Sequence, residues 1–193
     1  MNEEHTNREA VSAAAFGKHS VNIPAKWRLL GPLVALLGGF AGLLGAFFHE
    51  GQGGLPGIVL LPFVAAPIIE ETLKPSGIYL LLAKWPQALN GRFYTALLSG
   101  LAGLEFGALE NLLYLYVYFP EHSHEAAVVR WTAGLTLHSV NSFIVGLGIN
   151  QKLIAAAKGE IPLFSANKRF FLIPMAIHSA YNVLAVVFLR HLQ

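Results

Sequence analysis

The stretch APIIEETLKPSG (residues 66–77) places three formal charges inside one of the most apolar parts of the chain. Residues 55–69 are almost wholly apolar, and residues 78–83 are apolar again. Glu70, Glu71 and Lys74 therefore fall where a helix would cross the interior of a bilayer. Because a charged side chain at the bilayer centre costs on the order of 3 kcal/mol, these residues require polar partners elsewhere in the chain.

The composition is that of an integral membrane protein. Hydrophobic residues make up 54% of the 193 residues, charged residues make up 12%, and the mean hydropathy is +0.53. A soluble domain carries about 25% charged residues. The chain has no Cys, which excludes disulfides, thiolate metal sites and cysteine nucleophiles. All 11 acidic residues are Glu, so aspartyl chemistry is excluded as well.

Five segments are long and apolar enough to cross a bilayer, since a core of about 30 Å needs roughly 20 helical residues. They are residues 29–48, 55–83, 93–119, 126–149 and 170–189. The predicted fold class is all-α, a polytopic transmembrane helical bundle of about five spans. The bundle domain, residues 27–193, follows a polar segment, residues 1–26, that shows no removable signal peptide.

The second span contains four prolines and is longer than a bilayer requires. We therefore consider residues 55–66 a candidate half-helix or re-entrant piece, with the main helix starting at Pro67. Glycines spaced i,i+4 predict close helix packing in the first and third spans. These pairs are Gly38 and Gly42, and Gly103 and Gly107.

Basic residues are distributed unevenly between the connecting segments. Ten Lys and Arg residues lie within residues 1–28, 84–92 and 151–169, whereas the opposite side carries only Arg190. By the positive-inside rule, this asymmetry predicts a cytoplasmic N-terminus and an external C-terminus. The predicted location is the plasma (inner) membrane, as a multi-pass protein.

Eight ionisable residues fall inside spans two to five, and they must face one another or a wet cavity rather than lipid. They are Glu70, Glu71, Lys74, Glu105, Glu110, Arg130, His138 and His178. At a rise of about 1.5 Å per residue, the glutamates at 70, 71 and 110 and both histidines reach one middle-to-outer layer from four helices. The set predicts a shared functional site.

Spacing along single helices adds local geometry to this site. Lys74 is i,i+4 from Glu70 and i,i+3 from Glu71, so it can pair with either carboxylate. Each histidine has an asparagine one turn away, Asn141 on one helix and Asn182 on the other. Such an amide would orient the imidazole ring or hold a substrate carbonyl.

The charges inside the spans leave two chemistries open. Four glutamates against two basic side chains sum to −2 when both histidines are neutral. Either one glutamate is protonated and serves as a general acid or base, or a divalent cation occupies the site. Glu110, His138 and His178 form a His₂Glu set, an established composition for catalytic zinc. Glu70 or Glu71 would then activate the water.

Each residue also has an ordinary structural explanation when taken alone. A single intramembrane histidine is commonly an interhelical hydrogen-bond partner. Arg130 lies four residues into its span and is expected to extend to the outer interface. Glu105 is expected to pair with Lys74 or Arg130. The combination of residues, rather than any one of them, indicates a functional site.

Four stretches resemble the PrsW family of intramembrane proteases. They are EETLK (70–74), GLEFGALENLLYL (103–115), LHSVNSF (137–143) and IHSAYN (177–182). The family pattern is E-E-x-x-K, then G-x-x-F-x-x-x-E-N, then two helices each with a histidine, and the resemblance covers about residues 60–185. The chain is more remotely similar to the CAAX prenyl protease and bacteriocin-processing superfamily. There the first motif ends in Arg and the second in His, unlike Lys74 and Glu110. Glu105 and Pro75 depart from the PrsW pattern.

The resemblance implies peptide-bond hydrolysis within or at the edge of the membrane. The implied partners are a membrane-anchored, single-pass substrate similar to an anti-sigma factor and the lipid bilayer, and not nucleic acid. Glu70 would be the water-activating base, Asn182 an oxyanion or orienting group, and the cofactor, if any, a divalent metal such as Zn²⁺. The implied catalytic set is Glu70, Glu71, Glu110, His138, His178 and Asn182, the implied metal set is Glu110, His138 and His178, and the supporting residues are Lys74, Asn111 and Glu105.

Two other classes of function remain open. The superfamily includes a scaffold subunit of gamma-secretase that keeps buried histidines without proteolysis, so a non-catalytic membrane scaffold is one alternative. A proton or ion pathway is the other, although the inverted repeats common in transporters are reduced here to an echo between HSVN and HSAYN. The chain contains no H-E-x-x-H or G-x-S-x-G motif, which excludes those familiar hydrolase sites.

Overall fold

The computed structural model describes residues 23–50, 61–162 and 165–189, and these residues are helical, with no strand among them. In chain order, the α-helices are α1 (Ala25–Glu50), α2 (Ala66–Leu73), α3 (Ser76–Lys84), α4 (Gly91–Leu113), α5 (His124–Val129), α6 (Leu135–Gly148), α7 (Gln151–Ala157) and α8 (Arg169–Leu189). Three π-helical turns precede α2, extend α4 and join α5 to α6: Leu61–Ala65, Tyr114–Tyr118 and Arg130–Gly134. The predicted all-α class is confirmed. Most of the predicted N-terminal segment, residues 1–22, lies outside the described residues.

Three helical stretches are long and apolar enough to cross a membrane: Ala25–Phe47, Gly91–Tyr118 and Arg169–Val187. A fourth candidate consists of His124–Gly148 and Gln151–Ala157, which meet at a 77° bend. Within the described ranges, the first three stretches correspond to the first, third and fifth predicted spans, and the bent pair corresponds to the fourth. The total of five spans and the orientation of the termini stay predictions.

The second predicted span is interrupted rather than continuous. Pro75 separates α2 from α3 because proline has no amide hydrogen to continue the helical ladder, and the amides three and four residues later bond to its carbonyl and restart the helix. The α-helix begins at Ala66, within one residue of the predicted start at Pro67, and the π-helical turn Leu61–Ala65 runs directly into it. Residues 55–60 of the expected re-entrant piece lie outside the described residues.

Glycines allow α1 to approach the interrupted span at backbone distance. A methyl group on Gly38 would overlap the backbone of Gly77, and one on Gly42 would lie 2.9 Å from the carbonyl of Leu73. The Ser76 hydroxyl donates a hydrogen bond to the carbonyl of Gly38 at 2.8 Å. The close packing predicted from the first glycine pair is therefore confirmed.

The second glycine pair brings α4 against α6, which is the most extensive helix contact of the bundle. A methyl group on Gly103 would overlap the His138 carbonyl and the Ser142 side chain. One on Gly107 would lie 2.8 Å from Cδ2 of the His138 ring. These glycines thus do more than pack two helices, because they determine how close a candidate site histidine lies to α4.

The outer faces of α1 and α8 carry large apolar side chains. Leu29 and Leu37 on α1 are each 68% exposed, and Leu172 and Val187 on α8 are 53% and 50% exposed. The opposite face of α1 packs on α2, α3 and α4. Lipid is the solvent that suits such exposed apolar faces.

Several helix ends that carry basic residues lie at one end of the bundle. Trp27 at the start of α1 contacts Trp85 after α3, with ring centroids 5.4 Å apart. Arg92 at the start of α4 donates to the carbonyl of Leu147 near the end of α6 at 2.7 Å. Asn167 before α8 donates to the adjacent Gly148 carbonyl at 3.1 Å. We call this end of the bundle, marked by the contacts of Trp27, Arg92 and Asn167, the basic end.

Candidate active site

The last turn of α2 carries two acids and a lysine into the interior. Glu70, Glu71 and Lys74 are 3%, 0% and 0% exposed. The Lys74 ammonium donates to Glu71 Oε1 at 2.8 Å and lies 3.3 Å from Glu70 Oε2. The pairing predicted from the i,i+3 and i,i+4 spacing is confirmed. These ion pairs offset part of the free energy that burying three charged side chains costs.

His138 on α6 lies between the lysine and an acid of α4. Its Nδ1 is 2.8 Å from Lys74 Nζ, and its Nε2 is 2.9 Å from Glu110 Oε2. An ammonium group only donates hydrogen bonds and a carboxylate only accepts them. The neutral ring therefore carries its proton on Nε2, where it donates to Glu110, and Nδ1 accepts a hydrogen bond from the Lys74 ammonium.

His178 on α8 has the complementary arrangement. Its Nδ1 is 2.8 Å from Glu71 Oε1, so in the neutral ring Nδ1–H donates to the carboxylate and Nε2 keeps the lone pair. The Asn141 amide donates to the carbonyl of Pro174 at 3.1 Å. This contact ties α6 to α8 one turn before His178, which is a different role from the ring-orienting one predicted for Asn141.

The two unprotonated ring nitrogens and one carboxylate oxygen converge. Glu70 Oε2 lies 3.9 Å from His138 Nδ1 and 3.8 Å from His178 Nε2, and the ligand atoms of the three residues all lie within 4.8 Å of one another. The imidazole rings are at 85° with centroids 5.1 Å apart. Glu70 Oε2 is buried and has no hydrogen-bond partner. The predicted convergence of separate helices on one site is confirmed.

The three converging residues fit a divalent cation by their chemistry. Two imidazoles and a carboxylate are a known catalytic zinc composition. Each ring donates its other N–H to a carboxylate, as metal-ligating histidines usually do, and Glu70 Oε2 has no hydrogen bond beside its 3.3 Å ion-pair contact with Lys74. Within the described part of the chain, Glu70 and not the predicted Glu110 completes the group with the histidines. Lys74 Nζ contacts two of the three ligand atoms, so a bound cation would compete with the ammonium.

Arg130 faces the site instead of extending to the outer interface, so that expectation is wrong. Its terminal nitrogen is 3.2 Å from Glu110 Oε2, and its Nε donates to Asn111 Oδ1 at 3.2 Å. The Asn111 amide returns a hydrogen bond to the Arg130 carbonyl at 2.8 Å, and the guanidinium lies 3.8 Å from the Tyr114 ring centroid. A π-helical turn begins at Arg130, and such turns often occur at functional sites.

Glu105 does not pair as expected. Lys74 and Arg130 form their ion pairs with other glutamates of the described chain. The Glu105 carboxylate instead lies against α1, where a methyl group on Gly39 would be 2.7 Å from Oε2. This oxygen is buried without a hydrogen-bond partner, so Glu105 lies apart from the converging group.

Two residues contact the site that the sequence reasoning did not single out. The Phe106 ring lies 4.6 Å from Lys74 Nζ and its centroid is 5.5 Å from that of His138. Gly107 provides the space for the same histidine. Both fall within the GLEFGALEN stretch, so the motif itself pointed to these positions. The i,i+4 spacing of the glycines, however, had indicated only helix packing for Gly107. Asn182 lies partly buried on α8, and its oxyanion role stays a prediction.

A bundle of apolar helices with a buried Glu-His-His group is the architecture expected of an intramembrane protease. A family model described as "PrsW family intramembrane metalloprotease" matches residues 24–192, and the chain belongs to this family. Protease PrsW of Bacillus subtilis (strain 168) is 26% identical over 134 residues, which are 69% of this chain and 56% of that protein. The chain thus spans little more than half the length of this relative. No solved structure matches the chain. The family predicted from the four motifs is confirmed.

Proposed function

We propose that the chain is an intramembrane endopeptidase that hydrolyses peptide bonds of membrane-anchored proteins. The observation that carries the proposal is the approach of Glu70 Oε2 to His138 Nδ1 and His178 Nε2, at 3.9 and 3.8 Å. These are the atoms of the cluster that are not used in the carboxylate–histidine contacts. A water molecule between them would meet three lone-pair acceptors in a site shielded from bulk solvent, and two of these, Glu70 Oε2 and His138 Nδ1, also contact the Lys74 ammonium.

Glu70 is the proposed general base. It would accept a proton from the water while the water oxygen adds to the carbonyl carbon of the scissile peptide bond. The same proton would pass to the amide nitrogen as the C–N bond breaks, releasing an amine and a carboxylic acid. General base catalysis of this kind contributes about 10²–10⁴-fold in rate. The missing hydrogen-bond partner of Glu70 Oε2 supports this role.

The remaining polar residues are proposed to hold the reacting groups in place. Glu71 and Glu110 each accept a ring N–H and fix one imidazole tautomer, as the 2.8 and 2.9 Å contacts support. Lys74 offsets the negative charge of the acid pair. Asn182, one turn after His178 on α8, would donate to the oxyanion that develops on the substrate carbonyl.

Glu70, His138 and His178 would also be the residues that hold a divalent metal ion such as Zn²⁺. Such an ion supplies Lewis-acid activation of water and of the substrate carbonyl. The family description as a metalloprotease supports this version, and the donor set agrees with it. In both versions Glu71 and Glu110 keep their roles of orienting the two rings.

The proposed substrate is a single-pass membrane protein, such as an anti-sigma factor, cleaved by a five-span protease of the plasma membrane. The N-terminus is proposed to lie in the cytoplasm. Among the clustered acids, Glu110 has the most exposed side chain at 15%, and its partner Arg130 is 20% exposed. We therefore propose that substrates reach the site between α4 and the turn that begins at Arg130, on the side away from the basic end.

The test is cleavage of a panel of single-pass substrates by the full chain reconstituted in lipid vesicles. The wild type is expected to cleave at least one member and to introduce one oxygen atom of labelled water into the new carboxyl group. Glu70→Gln and His178→Ala are expected to abolish this. Glu105→Gln, which removes the charge of a membrane glutamate outside the cluster, is the matched control and is expected to retain cleavage. Cleavage by both site variants at the wild-type rate would overturn the assignment of the site, and failure of the wild type to cleave any member of the panel would favour a scaffold.

A further inference from the structure

A second polar site lies at the basic end, away from the converging glutamate and histidines. It is a cavity of about 250 Å³ lined by three basic side chains, three amide side chains and one aromatic ring. The basic residues are Arg92, Lys152 and Arg169, and the ring belongs to Phe170. At roughly 30 Å³ per water molecule the cavity has room for about eight waters, enough for a phosphate group with its ester substituents.

The positive charge of this cavity is not neutralised by the described chain. Among the described residues, none of the three cations forms an ion pair, and no acidic side chain lines the cavity. The guanidinium groups of Arg92 and Arg169 lie 4.6 and 5.0 Å from the centroid of the Phe170 ring. Both arginines thus lie against the same aromatic ring, and this concentration of positive charge at the cavity favours the binding of an anion.

The backbone around the cavity is built to hold these side chains. Asn167 has a φ of 59°, a left-handed conformation that Asn tolerates better than most residues, and its amide bonds to the Gly148 carbonyl. Arg92 uses Nε to bond the Leu147 carbonyl, so its terminal nitrogens are the groups left for a ligand. The cavity therefore joins the start of α4, the end of α6, the start of α7 and the start of α8.

We propose that this cavity binds a phosphate group, and that the phosphate is the headgroup of an anionic phospholipid such as phosphatidylglycerol. The basic end carries the residues that predict the cytoplasmic interface, where anionic headgroups lie, and each Lys or Arg near such a surface contributes about 1 kcal/mol of attraction. The terminal nitrogens of the arginines donate to the phosphate oxygens, and Lys152 adds a point charge.

Such a ligand would hold together three helices that supply the candidate active site. His138 on α6 is nine residues from Leu147, and His178 on α8 is nine residues from Arg169. At a rise of about 1.5 Å per residue, both histidines lie some 14 Å along their helices from the end of the bundle that would bind the phosphate. The headgroup would thus fix the ends of α4, α6 and α8 relative to one another without contacting the site. This inference does not depend on the proposed protease activity.

The test is lipid binding by the full chain in detergent micelles, measured by native mass spectrometry as phosphatidylglycerol or phosphatidylcholine is added. Phosphatidylglycerol is expected to bind more tightly than phosphatidylcholine. The variant Lys152→Gln/Arg169→Gln removes two of the cations. It leaves Arg92, whose Nε donates to the Leu147 carbonyl and so connects α4 to α6. It is expected to weaken phosphatidylglycerol binding about thirtyfold, from about 1 kcal/mol per residue.

The matched control is Lys84→Gln/Lys158→Gln, which removes two charges from exposed lysines that do not line the cavity. It is expected to bind phosphatidylglycerol as the wild type does. Equal weakening in both double variants would show diffuse surface attraction and overturn the proposal, as would equal affinity for the two lipids. Occupancy by inorganic phosphate at the same concentration as the lipid would contradict a lipid occupant. If the cavity variant does not fold, Lys152→Gln alone tests the site, with an expected weakening of about fivefold.

Discussion

His178 Nε2 lies 3.8 Å from Glu70 Oε2, and it is the ring nitrogen that does not contact Glu71. The two residues belong to α8 and α2, and His138 from α6 completes the group. A carboxylate bonded to each ring determines which nitrogen is unprotonated, so Glu71 of α2 and Glu110 of α4 orient the two rings rather than only neutralising charge. The following predictions test separate parts of this arrangement.

Removing the proposed base should abolish turnover without unfolding the bundle. Glu70→Gln keeps the shape of the side chain but removes the proton acceptor, so the cleavage rate is expected to fall by about 10²–10⁴-fold. The rate is measured on a reconstituted single-pass substrate. Glu105→Gln should retain the wild-type rate because its carboxylate lies against α1. Loss of cleavage in the control but not in Glu70→Gln would reverse the assignment.

Removing the carboxylate behind His138 should weaken the site without removing a reacting group. In Glu110→Gln the side-chain amide replaces one acceptor oxygen with a donor, so the ring loses its charged partner. Such changes around a site typically cost about 10–100-fold in activity or metal affinity. The readouts are the cleavage rate and the affinity for Co²⁺ followed by its absorption spectrum. Glu121→Gln, which changes an exposed acid between α4 and α5, should change neither, and an unaffected Glu110→Gln would contradict the orienting role.

Lys74 should be the side chain of the cluster whose loss most destabilises the fold. Lys74→Met leaves the buried Glu70 and Glu71 without their cation, and breaking a buried ion pair costs about 3–5 kcal/mol. The measurement is the free energy of unfolding in detergent. Adding Glu71→Gln to Lys74→Met removes one uncompensated charge and is expected to restore part of the loss. Lys84→Met, at an exposed position, should be nearly neutral, and an equal effect of the two single variants would contradict the buried network.

Gly107 should be required for the position of His138. A methyl group there would lie 2.8 Å from Cδ2 of the ring, so Gly107→Ala is expected to displace the ring and cost about 1–3 kcal/mol of stability. The cleavage rate should fall with it. The control is Gly100→Ala on the same helix, where the nearest atom, Phe143 Cβ, would be 3.4 Å away. Wild-type cleavage by Gly107→Ala would show that the ring tolerates the shift.

The metal-assisted and metal-free mechanisms give opposite results on removal of metal. If Glu70, His138 and His178 hold an ion, the purified protein should contain about one equivalent, and His138→Ala should lose it. A chelator should then stop cleavage, and Zn²⁺ should restore it. Cleavage that resists chelation in metal-free protein would assign the reaction to Glu70 alone. Both readouts come from the same preparation, by elemental analysis and by the cleavage assay.

Depth and helical spacing predicted most of the residues that meet. Charges placed in apolar segments must find partners, so Glu70, Glu71, His138 and His178 were expected to converge, and the i,i+3 and i,i+4 spacings predicted that Lys74 pairs with Glu71 or Glu70. The glycine pairs likewise predicted where helices approach closely. These inferences depend on burial energy and on periodicity along single helices, both of which are local to the sequence.

The relative rotation of the helices was not predictable in this way. Whether Glu70 or Glu110 completes the group with both histidines depends on how α2 and α4 are rotated relative to α6 and α8. Arg130 turned inward because Asn111 on α4 holds both its side chain and its carbonyl, a contact that spans two helices. Spacing within one helix contains no information on such contacts.

The central claim is that α2 and α8 bring residues 70 and 178 to one buried site, and paired cysteines test it most directly. The chain has no Cys, so Glu70→Cys/His178→Cys introduces the only thiols. The prediction is rapid cross-linking of this pair in vesicles by a short bifunctional thiol reagent. The pair Thr72→Cys/His178→Cys, with Thr72 at an exposed position of α2, should cross-link much more slowly. Failure of the first pair to cross-link while the second succeeds would contradict the account.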